Sequence, residues 1–129
     1  MNILTKSYHA LTVEKYLSVR NDIGHGGSTG SSQPAMFAFA DYITGNGAKP
    51  VSFAFTERDG DSVTFTYEGT IKSARLYTIL DPADWHQDNV QWDENPASFD
   101  PNENTITGTT PNGTEYFYVN VTDDDGSIY

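Results

Sequence analysis

The stretch from Gly24 to Gly30 holds two residue types that take part in acyl transfer. His25 carries an imidazole, which can serve as a general base near neutral pH. Residues 26–30 match the pattern G-x-S-x-G, in which Ser28 would be the nucleophile. A serine hydroxyl becomes a nucleophile when a neighbouring base removes its proton and an acid orients that base. The stretch therefore raises two hydrolytic hypotheses, one centred on Ser28 and the other on His25.

The surroundings of Ser28 differ from those of a nucleophile elbow. An elbow needs an apolar strand that runs directly into the serine turn, and residues 20–25 are mainly polar or glycine. It also needs an acid and a histidine farther along the chain, inside a parallel sheet. A chain of 129 residues is too short to build that sheet beside a β-rich second half. We therefore favour a role for His25, with a surface histidine in an ordinary strand-to-helix loop as the alternative.

Residues 15–44 resemble the strand, Gly-His-Gly loop and helix at the C-terminal end of α/β-hydrolases. In that family the triad order is serine, acid, histidine, and the histidine comes last. The resemblance implies that His25 is the general base for a serine in sequence outside this chain. Gly24, Gly26 and Gly27 would let the backbone carry the imidazole toward that serine. The chain would then be the C-terminal portion of an ester or peptide hydrolase and would not be catalytic alone.

The segment after this loop predicts a helix. Pro34 suits the first helical turn, because its missing N–H would have no partner there. Four apolar residues then share one face at helical spacing, and we expect that face to be buried: Met36, Phe39, Ala40 and Ile43. Residues 44–50, TGNGAKP, end the helix and begin a loop. We predict a strand-loop-helix appendage over residues 1–47 and a second domain over residues 48–129.

The second domain shows the alternation of apolar and polar residues that is typical of β-strands. Three such runs lie between Val51 and Leu80, and a turn at residues 59–61 separates the first two. Two further runs flank the Pro-Asn-Gly turn at residues 111–113, and a last strand follows the turn at residues 123–126. Short strands with glycine and aspartate turns predict a mainly β fold, a small antiparallel β-sandwich.

Residues 112–129, NGTEYFYVNVTDDDGSIY, resemble the closing strands of immunoglobulin-like β-sandwich modules, those of the PKD type in particular. Such modules end in a similar Gly-Thr-aromatic strand, an Asp-Asp-Gly turn and a final strand. The resemblance implies an immunoglobulin-like sandwich over residues 50–129. It also implies that the hydroxyl of Tyr116 or Tyr118 returns to the backbone near Pro111, as in a tyrosine corner.

Asp123, Asp124 and Asp125 precede Gly126 and allow two interpretations. Their carboxylates are oxygen ligands of the kind that calcium prefers, which makes calcium the one cofactor that the sequence raises. Alternatively, they form a β-turn in which the aspartates face water. The ligand alternation of an EF-hand is absent, so we favour the turn.

Trp85 and Trp92, with His86 between them, lie in an acidic stretch. If the two indoles are exposed they can stack on sugar rings, and if buried they belong to the core. A non-catalytic carbohydrate-binding module is therefore a second class of function. A third class is a structural or assembly protein, such as a virion or cell-surface component. There the glycine-serine loop around His25 would order against a neighbouring subunit.

The charge of the chain is distributed unevenly. All seven Lys and Arg lie at or before Arg75, and eleven acids follow from Leu76 to Tyr129 without a basic residue. We expect no nucleic-acid or anionic-membrane partner, since nothing in this half neutralises phosphates. The chain lacks cysteine, which excludes disulfides and thiolate metal sites. Because it has no long apolar run and no signal-peptide pattern, we expect a soluble protein, for which an extracellular or virion-associated location stays open.

Overall fold

The computed structural model of the protein describes residues 10, 12, 13, 15, 16, 33–80 and 92–129. Within these residues the chain forms one α-helix and six β-strands. The helix is α1 (Pro34–Ile43), and the strands are β1 (Ser52–Asp59), β2 (Ser62–Glu68), β3 (Ser73–Ile79), β4 (Asp93–Asp100), β5 (Thr105–Thr109) and β6 (Tyr116–Thr122). All strand pairs are antiparallel, so the predicted mainly β, antiparallel fold is confirmed.

The six strands form a curled sheet in the order β1-β2-β5-β4-β3-β6. Strand β4 connects the two halves of this sheet. Residues 93–97 of β4 pair with β3, and residues 97–100 pair with β5. The change of partner at Ala97 lets β1 and β2 lie opposite β3 and β6, which is compatible with a β-sandwich. The finer assignment to the immunoglobulin-like class stays a prediction.

The hydrophobic core lies between the two halves of the curled sheet. Burial alternates along β2 and β3, because successive residues of a strand point to opposite faces. Phe65 of β2 and Phe117 of β6 meet across the core, with ring centroids 6.3 Å apart. The largest fully buried apolar side chains are Leu76, Ile106, Val63 and Val121.

The turns predicted at glycines are confirmed. Gly60 joins β1 to β2 at φ 57°, Gly113 lies between β5 and β6 at φ 86°, and Gly126 follows β6 at φ 84°. These dihedrals suit glycine because a Cβ is strained there. The predicted return of the Tyr116 or Tyr118 hydroxyl to backbone near Pro111 stays a prediction, and the Pro111 carbonyl itself accepts hydrogen bonds from Thr114. The backbone N–H of Thr114 donates at 3.1 Å and its hydroxyl at 2.7 Å.

Helix α1 is confirmed, but the prediction that its apolar face is buried is wrong. Met36 and Ile43 are 54% and 63% exposed, whereas Ala35 is buried and belongs to the core. Phe39 packs on Tyr16, with ring centroids 5.4 Å apart. Among the ten helical residues, only Ala35 in the first turn is buried, because that position and not the Met36–Ile43 face is turned toward the core.

The other parts of the predicted appendage lie mainly outside the described residues. These parts are the strand predicted around Lys15 and the loop around His25. The boundary between residues 47 and 48 stays a prediction. In the described part of the chain, no helix has the length and apolar character needed to cross a membrane.

Candidate functional site

Several of the residues singled out in the sequence lie outside the described residues: His25 and Ser28 with Gly24, Gly26 and Gly27, and Trp85 with His86. The hydrolytic hypotheses and the role of Trp85 in carbohydrate binding therefore stay predictions. The structure does describe Trp92 and the three aspartates at 123–125, together with the side chains that surround them.

Trp92 belongs to an aromatic cluster on the outer face of the sheet, which we define as Tyr77, Trp92 and Tyr118. Tyr77 of β3 and Tyr118 of β6 are directly opposite in register, so their side chains leave the sheet on the same face. The two rings stack with centroids 5.0 Å apart and an interplanar angle of 12°. Trp92, which immediately precedes β4, meets Tyr118 edge-on at 4.9 Å and 75°. All three side chains are half-buried.

Polar groups border this aromatic cluster. Glu94 lies opposite Tyr77 in the β3–β4 register, and its Oε2 accepts a hydrogen bond from the Tyr77 hydroxyl at 3.1 Å. Its Oε1 accepts a hydrogen bond from Arg75 Nε at 2.9 Å. The ion pair is about half exposed, so its contribution to stability is small. The ion pair instead orients two side chains, because it holds the Glu94 carboxylate and the Arg75 guanidinium beside the stacked rings.

The sequence alone singled out Trp92 but missed Tyr77, Tyr118 and Glu94 as its neighbours. These residues come from three strands, and their contacts depend on the register of β3 with β4 and β6. The available signal was the placement of tyrosines at alternate, outward positions of two predicted strands. That signal indicates a shared face only once the strands are known to pair.

The aspartates at 123–125 form the turn that follows β6. Asp123 Oδ1 accepts a hydrogen bond from the Ser127 N–H at 2.8 Å, and the Asp123 N–H donates to the Ser127 carbonyl at 3.0 Å. Asp124 and Asp125 are exposed. Within the described residues, no group of three or more His, Cys, Asp or Glu side chains has a geometry that would hold a metal ion. Calcium binding by these aspartates stays a prediction.

Tyr129 lies beside this turn and is 3% exposed. Burial raises the pKa of its phenol above the ordinary value, since an apolar environment disfavours the phenolate. A hydrogen bond with Ser127 opposes this shift, and the negative charges of Asp123 and Asp125 add to it. The charges of the aspartate turn therefore influence the pKa of Tyr129.

A groove of about 510 Å³ opens between the two end strands of the sheet, β1 and β6. We call it the β1–β6 groove. Its apolar lining comes from Phe53, Phe55, Phe65, Phe117 and Val119. Phe55 is 53% exposed although Phe65, its neighbour in the β1–β2 register, is buried. The groove thus exposes aromatic surface that points toward the interior of the curled sheet.

Comparisons of the chain with protein-family models, curated proteins and solved structures gave no match. Functional inference for this protein therefore depends on its own residues and their geometry.

Proposed function

We propose that this chain is the C-terminal portion of an α/β-hydrolase-like ester or peptide hydrolase. It would contribute His25 as the general base and the β domain as an accessory module, and it would not be catalytic alone. The observation that supports the proposal is the exposed apolar surface of α1. Met36, Phe37 and Ile43 are 54%, 59% and 63% exposed, and their helix follows the stretch that contains His25 in the sequence.

In α/β proteins, helices cover the faces of a parallel sheet and bury their apolar side chains there. A helix that follows the histidine loop of a hydrolase would pack on the sheet that bears the serine. The exposed side chains of α1 are therefore the surface that this sheet would cover. We propose that the serine-bearing sheet of the same enzyme covers this surface of α1.

The strand order supports the immunoglobulin-like assignment of the accessory module. If the six strands are lettered A to F in chain order, the observed sheet reads A-B-E-D followed by C-F. An immunoglobulin constant-type sandwich groups strands A, B, E and D in one sheet and C and F in the other. We propose this class for residues 50–129 on that basis.

The hydrolase proposal is tested first by the coding sequence upstream of Met1, where we expect a G-x-S-x-G elbow and an acidic triad residue. In the enzyme that contains both parts, His25→Ala should lower kcat for p-nitrophenyl acetate by about 10³-fold or more. Ser28→Ala is the matched control and should retain activity. The isolated chain should not hydrolyse the ester.

Two outcomes would contradict this proposal. Hydrolysis by the isolated chain that disappears in both Ser28→Ala and His25→Ala would assign the nucleophile to Ser28. Full activity of the longer enzyme after His25→Ala would remove His25 from the reaction.

A second candidate function is carbohydrate binding by the β domain, and the aromatic cluster favours it. Tyr77, Trp92 and Tyr118 combine apolar ring surface with polar edges, and Glu94 and Arg75 offer hydrogen bonds beside them. Stacked rings bordered by fixed polar groups suit a sugar, which has apolar faces and hydroxyl edges.

Binding to cellulose, xylan and chitin, measured by depletion, tests this second function. Trp92→Ala should weaken binding by about tenfold, the effect of losing a central aromatic contact. Tyr116→Ala is a matched control, since Tyr116 lies on the same face of β6, is 49% exposed and is outside the aromatic cluster. Equal losses in both variants, or no binding to any of the three glycans, would contradict the assignment.

A further inference from the structure

The sequence contains two asparagine–glycine pairs, Asn46–Gly47 after α1 and Asn112–Gly113 between β5 and β6. Such a pair can react within itself, because the backbone nitrogen of the glycine can attack the side-chain amide carbon of the asparagine. Glycine hinders this attack least, since it has no Cβ. The reaction requires a glycine N–H that solvent can reach and an asparagine amide that can turn toward it. The structure distinguishes the two pairs on both requirements.

The Asn46–Gly47 pair is held by the end of α1. The backbone N–H of Gly47 donates a hydrogen bond to the Asp41 carbonyl at 3.1 Å, and the N–H of Asn46 donates to the same carbonyl at 2.8 Å. Asn46 Nδ2 donates to the Thr44 hydroxyl at 3.1 Å. The position is also crowded, because a Cβ at Gly47 would stand 2.9 Å from Asp41 Cβ. The attacking nitrogen and the amide of this pair are therefore both restrained.

The Asn112–Gly113 pair lies exposed at the tip of a turn. The Thr114 N–H closes this turn by donating to the Pro111 carbonyl, and Gly113 has the positive φ, 86°, that the third position of a type II turn requires. Among the described residues, none forms a hydrogen bond with the Gly113 N–H or with the Asn112 side chain. A Cβ at Gly113 would meet nothing within 4 Å. Solvent can therefore reach the nitrogen of Gly113, and the Asn112 amide can turn toward it.

We propose that Asn112 is a site of covalent modification, at which the side chain deamidates through a succinimide ring. The Gly113 nitrogen gives its proton to hydroxide and forms a bond with Asn112 Cγ, while the Cγ–Nδ2 bond breaks and Nδ2 leaves as ammonia. Water then opens the ring at either of its two carbonyls. Opening at Cγ gives aspartate, and opening at the backbone carbonyl gives isoaspartate, in which the main chain runs through Cβ and Cγ. The reaction consumes water alone, and the inference is independent of the hydrolase and carbohydrate proposals.

The modification would change the charge and the length of this turn. Either product adds a carboxylate to the part of the chain after Arg75, which has eleven acids and no basic residue. Isoaspartate also lengthens the main chain between Thr110 and Thr114. Arg58 holds both ends of that segment, since its Nη2 donates to the Thr110 hydroxyl at 3.2 Å and its Nη1 to the Thr114 carbonyl at 3.3 Å. The extra main-chain atom would therefore lie in a turn whose two ends are held.

Incubation of the full chain at mildly alkaline pH tests the proposal, because base removes the proton of the attacking nitrogen. Peptide mapping by mass spectrometry measures conversion at Asn112 and at Asn46 in the same sample. Methylation by protein isoaspartate methyltransferase detects the isoaspartate product. The same incubation in urea is the control, since unfolding removes the hydrogen bonds that restrain Asn46 and Gly47.

In the folded protein we expect Asn112 to convert about tenfold faster than Asn46, because the Gly47 N–H must first leave the Asp41 carbonyl. In urea the two asparagines should convert at similar rates. Two matched variants provide a second measurement. Asn112→Gln should suppress the more acidic species that isoelectric focusing separates, because glutamine would have to form a larger ring, whereas Asn46→Gln should leave that species unchanged.

Three outcomes would overturn the proposal. The first is conversion of Asn46 at least as fast as that of Asn112 in the folded protein. The second is a difference between the two sites that persists unchanged in urea, because the neighbouring residues in the sequence and not the structure would then be its cause. The third is an Asn112 that stays intact in the folded protein while it converts in urea, which would show that the turn between β5 and β6 protects it.

Discussion

Gly108 of β5 lies against Leu76 of β3 where the two halves of the sheet meet, and a Cβ at Gly108 would stand 2.9 Å from Leu76 Cδ2. Both positions are buried. Gly108→Ala should therefore overpack the core and lower the free energy of unfolding by about 1–3 kcal/mol. Urea unfolding measures this change. Thr107→Ala, at an exposed position of the same strand, is the control and should stay within about 0.5 kcal/mol of the parent.

A double mutant separates this contact from a general loss of strand stability. Leu76→Val removes the δ carbons that approach Gly108. If the contact is the cause, Gly108→Ala should cost less in the Leu76→Val background than in the parent, giving a nonzero coupling energy. If the two changes in the free energy of unfolding are strictly additive, the close approach to Leu76 is not what disfavours alanine at position 108.

Arg58 joins the β1–β2 turn to the turn that follows β5. Its Nε donates to the Gly60 carbonyl at 3.1 Å, its Nη1 to the Thr114 carbonyl at 3.3 Å and its Nη2 to the Thr110 hydroxyl at 3.2 Å. The guanidinium carbon also lies 5.8 Å from the centroid of the Phe117 ring. Arg58→Ala should lower the free energy of unfolding by about 1–2 kcal/mol, since it removes three hydrogen bonds from a charged donor.

Arg58→Lys distinguishes geometry from charge. A lysine ammonium cannot reproduce the planar fork that reaches three acceptors, so it should recover less than half of the lost stability. Lys49→Ala is the control, because the Lys49–Glu68 ion pair is exposed on both sides and should contribute less than about 1 kcal/mol. Full recovery by Arg58→Lys would show that charge alone is required.

The parts of the fold that were predictable are those in which local pattern and burial agree. Val63, Phe65 and Tyr67 alternate along β2, and all three are buried. Strand β4 was missed because its sequence, DENPASFD, is mostly polar and contains Pro96, which disfavours central strands. Pro96 is tolerated because it lies before the point at which β5 pairing begins.

The helix and the aromatic cluster show where local pattern is insufficient. The spacing of Met36 and Ile43 predicted a helix correctly, but it carries no information about what lies beside that face. Likewise, Trp92 was visible in the sequence, whereas its contact with Tyr118 joins the residue just before β4 to β6, a strand that is not adjacent to β4 in the sheet. Such contacts depend on strand register and sheet curvature, which result from the packing of the whole domain.

Stability at alkaline pH should depend on Tyr129. Its pKa is raised in the folded protein, mainly by burial, with the charges of Asp123 and Asp125 adding to the effect. The folded state therefore holds the phenolic proton more tightly than the unfolded state does. The resulting stabilisation is fully present below the unfolded pKa of about 10 and is lost as the pH rises through the raised folded pKa.

Tyr129→Phe should remove the part of the stability that depends on the Tyr129 proton. The free energy of unfolding of this variant should therefore fall less steeply above about pH 10 than that of the parent. Urea unfolding across this range measures the slopes, and the difference in tyrosinate absorbance between the two proteins reports the pKa. Asp125→Asn should lower the Tyr129 pKa, because it removes a nearby negative charge. Identical alkaline slopes for parent and Tyr129→Phe would contradict this account.

Residues 50–129 should fold without the first 49 residues. Helix α1 contributes Ala35 alone to the core cluster, whereas all six described strands belong to the retained part. Loss of the Ala35 contact should cost about 1 kcal/mol. We expect a cooperative thermal transition in circular dichroism. A coil-like spectrum would instead show that the appendage is required to complete the core.

The last prediction concerns the acidic half of the chain. Eleven acids and no basic residue lie between Leu76 and Tyr129, so these charges repel one another. Added salt screens such repulsion over about 8–10 Å at physiological ionic strength. We expect sodium chloride to stabilise the fold gradually, and calcium and magnesium to act alike at equal ionic strength.

A calcium site at residues 123–125 would behave differently, because a ligand that binds the folded state raises the melting temperature by mass action. Asp123 already accepts a hydrogen bond from the Ser127 N–H, whereas Asp124 and Asp125 are exposed. We therefore expect no difference between calcium and magnesium in thermal unfolding, and no effect of Asp124→Asn on the response to either ion. A calcium-specific rise in melting temperature that Asp124→Asn abolishes would overturn this expectation, and it would establish the turn after β6 as a calcium site.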